Sequence, residues 1–264
     1  MSETLDISII HLAYLYILIF LPLLLLLREG TNLIKDALFS LLRMTIQLGL
    51  VGFYLTWLFK LNNLWLNLLW VVVMLGVAAG TTVKRANLSA RKFIPTIFLG
   101  LLIGVGGTTA FFILAVVRPD SWFDARYLIP LCGMIMGNSL RANVISLERF
   151  YSGIRNEEKL YKTYLMLGAD RNEAVKPFLQ QALKSSLNPT IATMATIGLV
   201  SLPGMMTGQM LGGSVPLTAI KYQIAIMLAI FIGESLAVIL NLKFSIRSAF
   251  TPFDILKDDI FRNV

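Results

Sequence analysis

The sequence predicts an all-α polytopic membrane protein, with about seven transmembrane helices in a single domain over residues 1–264. Three observations predict it. Hydrophobic residues make up 56% of the chain, charged residues only 14%, and mean hydropathy is +0.74, a balance that a soluble domain has no use for. Apolar runs of roughly twenty residues, long enough to cross a ~30 Å hydrocarbon core, recur from end to end. The basic residues lie between those runs and sort by side: the connections at 28–36, 84–93 and 147–187 and the carboxyl-terminal tail hold 17 Lys and Arg, against four on the other side. By the positive-inside rule the amino terminus is outside and the carboxyl terminus inside. The net charge of +8 is thus read as topology, not as a nucleic-acid surface.

The elements follow in order. Residues 8–27 form the first span; Glu3 and Asp6 precede it without Lys or Arg, so it lacks the positive leader of a cleaved signal peptide and is expected to remain a helix. His11, the only histidine, reads as an interfacial residue. A polar elbow at 28–36 leads to a second span at 37–58, with Trp57 at headgroup level. Lys60, Asn62 and Asn63 turn the chain into a third span at 64–83, and Lys84, Arg85, Arg91 and Lys92 form a basic loop before the fourth at 94–117. The pairs Gly100/Gly104, Gly133/Gly137 and Gly208/Gly212 have the spacing that lets helix backbones approach, and read as packing seams. A loop at 118–126 precedes a fifth span at 127–146.

From Leu147 to Leu187 the chain turns polar and is expected to be cytoplasmic, as two short helices. Leu160, Tyr164 and Leu167 give an apolar face opposite Lys159, Lys162 and Arg171. Gly168-Ala169-Asp170 marks the break, Gly168 suiting a helix end and Asp170 an N-cap. Such a segment can dock a soluble partner or lie on the anionic inner leaflet. Span six is unusual. Asn188 and Pro189 read as the N-cap and first residue of a helix running to Leu202, where Pro203-Gly204 interrupts it. That helix rises only about 21 Å, so Met205 to Met210 must complete the crossing. At membrane depth freed backbone is tolerated only against protein or water, which makes the break either a pathway element or a packed kink. A last span follows at 217–241.

No G-x-x-x-x-G-K-[ST] motif, metal-enzyme cluster or Ser-His-acid set occurs in the sequence, so the chain reads as a non-enzyme whose energy comes from a partner or an ion gradient. A lone Cys132 leaves no CxxC motif. Met134, Met136, Asn138, Met205, Met206, Gln209 and Met210 are candidates for a translocation path. Their thioethers could meet a soft metal or simply fill the core, and no metal is assigned. Arg43, Arg141 and Glu234 fall in the cytoplasmic half of their spans, where a charge is costly unless paired or hydrated, and Gln47 lies one turn deeper than Arg43 on the same face. Glu234 is expected to pair with Arg43 or Arg141.

Ile197-Gly-Leu-Val-Ser-Leu-Pro-Gly-Met-Met-Thr-Gly208, followed by Ala219-Ile-Lys-Tyr-Gln-Ile224, resembles the signature of the FetB (YbbM) permease family. Gly133 to Asn138, Leu167 to Ala174, and Arg43 with Ile46-Gln47-Leu48 and Val51-Gly52 resemble further blocks in the expected order. The resemblance implies the permease half of an ABC transporter in the plasma or inner membrane, a homodimer linked to iron export. ATP would be bound by a separate cognate subunit, with no cofactor in this chain, and the loop at Leu160, Tyr164, Leu167, Gly168, Ala169 and Asp170 would dock it. Plant relatives are tied to aluminium tolerance, through a nucleotide-sugar in one reading. A gradient-driven secondary transporter and a non-transporting membrane sensor are the other function classes. No substrate-site residues are implied.

Overall fold

The computed structural model describes residues 7–30 and 33–261; Glu3, Asp6, part of the 28–36 elbow and Arg262 in the tail lie outside the described residues. The order is α1 (Ile9–Leu18), α2 (Phe20–Arg28), α3 (Leu33–Leu61), α4 (Leu64–Arg85), α5 (Ala90–Val117), α6 (Ala125–Asn156), α7 (Glu158–Met166), α8 (Arg171–Thr196), α9 (Gly204–Leu211) and α10 (Pro216–Ala249). Among the described residues there is no strand, and six helical stretches are long and apolar enough to span a bilayer: α1 with α2, α3, α4, α5, α6 and α10.

Two ends organise the molecule. At the basic end the turn after α4 meets the carboxyl-terminal tail: Ser89 N donates to Ile260 O at 2.7 Å and Lys92 pairs with Asp259. Tyr161 on α7 donates to Asp254 O at 2.6 Å, and Arg171, opening α8, pairs with Asp254 at 3.3 Å. At the far end the α3–α4 turn holds the start of α6. Asn62 Oδ1 accepts from Ala125 N at 3.0 Å, and Asn67 Nδ2 donates to Phe123 O at 2.8 Å. The turn at 84–93, the 147–187 segment and the tail, three of the four basic connections, thus meet at one end.

Because α8 starts at the basic end and α10 at the far end, the chain between them runs from one end to the other. It is composite: α8, an irregular stretch at 197–203, then α9. Here the structure differs from the sequence reading. Asn188 and Pro189 do not start a helix; both lie inside α8, which runs through Pro177 and Pro189 to Thr196. Each proline removes one amide bond. Yet Ala174, Phe178, Ala182, Ser186 and Thr190 form one buried stripe at four-residue spacing, and packing on α6 and α10 outweighs the local signal. The break comes earlier than Pro203: Ile197 is extended and Gly198 takes φ +87°, a conformation open to glycine without Cβ cost.

Other boundaries moved outward or split. The first span divides into α1 and α2 at Ile19, where Pro22 has no amide for the Leu18 carbonyl and crowds it. The segment 147–187 is not two short helices: α6 continues to Asn156, α7 is short, and α8 is long. The last helix reaches Ala249, beyond the expected 241, because Leu242, Ser245 and Ile246 remain buried.

The core lies where α4, α5, α6, α8 and α10 meet, with α1–α3 at the periphery. The three glycine pairs divide in their roles. A Cβ on Gly104 would lie 2.6 Å from the Ala237 backbone nitrogen, and one on Gly100 1.9 Å from Asn241 Oδ1. This pair is the α5–α10 seam. Around Gly137 and Gly208 a Cβ would meet nothing within 4 Å. Around the seam α5 widens into π-helical turns at Leu102–Gly106 and Phe112–Val117, the second closing with Arg118 N on Ile113 O at 2.8 Å.

Candidate functional site

A cavity of about 290 Å³ lies at the far end, between α6, α9 and α10. The first wall is the start of α6, capped by Asp124, whose carboxylate accepts from Arg126 N at 2.9 Å. It offers Arg126, Tyr127 and Met134. The second is α9, begun by Pro203 and stopped by Gly212 and Gly213, where Ser214 N donates back to Gln209 O at 2.9 Å. It turns Met205 and Gln209 inward. The third is the start of α10, whose first residue is Pro216 and whose N-cap, Val215, supplies no side-chain acceptor. It offers Thr218 and Tyr222, with Ser214 just before it. The Gln209 Oε1 is buried without a hydrogen-bond partner among the described residues.

The cavity therefore gathers Met134, Met205 and Gln209 from the candidate path and leaves the others elsewhere. Met136 and Met206 are buried in the helix body. Asn138 is engaged locally, donating to Met134 O at 3.0 Å and accepting from Arg141 Nη2 at 3.0 Å. Met210 is on α9 but does not line the cavity. Of the larger hollows among the described residues, two of about 530 and 500 Å³ are walled almost wholly by apolar side chains of α5 with α10, and of α4 and α5 with α6. Among the described residues no group of three or more His, Cys, Asp or Glu could hold a metal ion.

The four intramembrane polar residues make no hydrogen bond or ion pair with one another among the described residues. Glu234 is 1% exposed, and its partner is Thr190, whose Oγ1 lies 2.9 Å from both carboxyl oxygens. No Arg nitrogen stands within 4.0 Å of it among the described residues, so the expected ion pair with Arg43 or Arg141 is not formed. Arg141 instead faces outward and holds Asn138. Arg43 and Gln47 lie on the exposed surface of α3, which leans on α6 only near Leu58.

At the basic end α7 and α8 form an elbow. Gly168 has φ +92°, and Asp170 caps α8 by accepting from Glu173 N at 2.7 Å while Glu173 Oε2 accepts from Asp170 N at 3.1 Å, a capping box. Ala169 N closes on Tyr164 O at 3.1 Å, and Tyr164 packs on the core. Leu160 is partly uncovered, whereas Met166 and Leu167 project, 79% and 80% exposed. Tyr161 fastens the elbow to the tail. Burial pushes its hydroxyl up to about 12, the nearby Asp254 adding to this and Arg171 opposing it.

The sequence profile described as "Uncharacterised protein family (UPF0014)" matches residues 9–250. The chain belongs to UPF0014. This UPF0014 chain is 36% identical over 211 residues to "UPF0014 membrane protein slr1647" of Synechocystis, covering 80% of this chain and 82% of that one. It is 34% identical over 213 residues to "Probable iron export permease protein FetB" of Escherichia coli, covering 81% of each. To "Protein ALUMINUM SENSITIVE 3" of Arabidopsis thaliana it is 34% identical over 200 residues, covering 75% and 71%. No solved structure matches. The UPF0014 assignment and the six apolar helices make it a multi-pass membrane protein.

Sequence reasoning missed Thr190, Arg126, Tyr127, Tyr222 and the tail contacts of this UPF0014 chain. Thr190 was legible only with a helix carried through Pro189, which puts it on the 174–186 stripe. For Arg126 and the two tyrosines no signal existed, because residues nearly a hundred positions apart meet only when α10 returns beside α6.

Proposed function

We propose that this chain is the membrane permease subunit of an ATP-driven exporter in the plasma or inner membrane, working as a homodimer. It moves iron, another metal ion or a metal-linked small solute out of the cytoplasm. The observation that carries the reading is the 34% identity to the Escherichia coli relative named as an iron export permease, over four-fifths of both chains. The basic end faces the cytoplasm. A cognate ATP-binding subunit docks on the α7–α8 elbow, where Met166 and Leu167 stand uncovered on a rigidly capped turn. The experiment is co-purification with the candidate ATPase and ATP-driven metal export in vesicles; a complex that hydrolyses ATP but never moves metal, across a panel of mono- and divalent ions, counts against it.

A second reading has one observation in its favour. A carboxyl group buried at membrane depth with a single hydroxyl partner, as at Glu234, is the kind of group a gradient-driven carrier uses. Transport abolished by an uncoupler and indifferent to ATP would select that reading.

A further inference from the structure

We propose that the far-end cavity binds a small oxyanion that also carries hydroxyl groups, such as a hydroxycarboxylate or a sugar phosphate, free or as a metal chelate. A bare metal cation is not its ligand. As a substrate site this rests on the permease reading; as a binding site it stands on the residues themselves.

The charge of the cavity decides the sign. No Asp or Glu lines it, while Arg126 does. Asp124, the nearest acid, is committed to capping α6 and lies 3.6 Å from Arg126 Nε, so the pair leaves the outer guanidinium nitrogens without a protein partner among the described residues. The positive end of α10, a 34-residue helix, opens at the same wall. Val215 offers the first turn no side-chain acceptor, Pro216 has no amide, and the amides of Thr218 and Ala219 donate to Val215 O at 3.0 and 3.2 Å, so this helix start acts through its dipole and the Thr218 hydroxyl. A guanidinium and a positive helix start both favour an anion. The opposing carbonyl end of α9 is already closed by the amides of Gly212, Gly213 and Ser214.

The second half of the ligand follows from Gln209. Its Oε1 is buried and unpartnered, and neither end of that carboxamide bonds to protein among the described residues. Either end of that carboxamide can turn to the cavity, and a ligand hydroxyl, which both donates and accepts, suits both, whereas an ionised carboxylate or phosphate only accepts. Tyr222 adds an aromatic wall with a phenol. Hard cations seek carboxylate oxygen, which is missing. Met134 and Met205 are too few to replace it and serve as an adaptable apolar floor.

The test uses the purified chain in lipid nanodiscs, with no ATPase present, and equilibrium binding of four anions and one cation. Citrate is compared with tricarballylate, its analogue lacking the hydroxyl, and glucose 1-phosphate with cyclohexyl phosphate; ferrous ion is added alone. At least one hydroxylated anion is expected to bind, better than its deoxy partner, and the pair that binds tells carboxylate from phosphate. Arg126→Gln should weaken both members of that pair at least about tenfold, whereas Lys60→Gln, at the same end but outside the cavity, should not. Arg126→Lys, which keeps the charge, should fall between and guards against a folding defect. Gln209→Leu should erase the preference for the hydroxylated member while leaving the deoxy analogue's affinity within about twofold. Ferrous ion binding with no anion bound, equal effects of the Arg126 and Lys60 substitutions, or a preference unchanged in Gln209→Leu would each overturn the proposal. ATP-driven export of bare iron would leave the permease reading standing and end the cavity's role as its substrate site. Anion binding by a chain that never engages an ATPase would leave the binding site standing and end the permease reading.

Discussion

Gly104→Ala is the sharpest test of how the helix body is held together. The added methyl would lie 2.6–2.8 Å from the nitrogen, Cα and Cβ of Ala237, where ordinary carbon contacts sit near 3.5–4.0 Å. Two of those atoms are backbone, so no rotamer change relieves the clash; α5 and α10 must part by roughly 1 Å. The same seam carries Gly100 against Asn241 and the 2.7 Å bond from Asn241 Nδ2 to Asn143 Oδ1. If about 40 atom pairs along it each lose ~0.05–0.08 kcal/mol of dispersion, the loss is ~2–3 kcal/mol. Replacing Gly by Ala inside a helix returns up to ~1 kcal/mol, leaving a net destabilisation of about 1–2 kcal/mol. Gly107→Ala, three residues on, meets nothing within 4 Å and should be neutral or mildly stabilising. Unfolding of both variants in mixed micelles, followed by circular dichroism against denaturant, reads the difference. A Gly104→Ala protein as stable as Gly107→Ala would refute close backbone approach as the basis of the seam.

Thr190→Val should cost about 1–3 kcal/mol by removing the hydroxyl partner of the Glu234 carboxyl group, and Thr190→Ser should largely restore it; equal stability of the two by the same unfolding assay would mean that the bond contributes nothing. Leu167→Asp, at a residue 80% exposed, should leave the chain folded and cut ATPase association severalfold, read by co-purification; unchanged association would move the docking surface off the elbow. The Tyr161 hydroxyl, held near 12 when folded and ordinarily close to 10, binds its proton more tightly in the folded state. Its contribution is whole below about pH 10 and is lost as pH rises toward 12. Thermal stability should therefore fall more steeply over that window in the wild type than in Tyr161→Phe, and parallel pH profiles would contradict this.

Most of the fold was legible because apolar length and charge placement act locally. The turn at Asn62 and Asn63, the basic loop at Lys84 and Arg85, and the Gly168–Asp170 elbow each depend on residues within a few positions of one another. Gly100 and Gly104 have the spacing of a packing seam, but so do Gly133/Gly137 and Gly208/Gly212, and only contact with α10 distinguishes the first pair. Where long-range contacts decide, the sequence misled. Asn188-Pro189 carries a good helix start, but the stripe buried against α6 and α10 carries the helix through it. The intramembrane charges invited pairing, yet Arg43 rides on a peripheral helix and Glu234 turns to a threonine 44 positions away. In the same way Met205 and Gln209 were visible as a broken, polar stretch, whereas Arg126 and Tyr222, which complete the cavity, sit in helix starts of ordinary appearance.

As the proposed membrane half of an ATP-driven exporter, this UPF0014 chain should move iron only together with its cognate ATPase. The most direct test loads inside-out vesicles containing the chain and its cognate ATPase and follows uptake of radiolabelled iron, with and without ATP and with and without an uncoupler. Uptake that requires ATP, survives the uncoupler and fails in the Leu167→Asp chain is the predicted result. Uptake that ignores ATP and collapses with the uncoupler would contradict it.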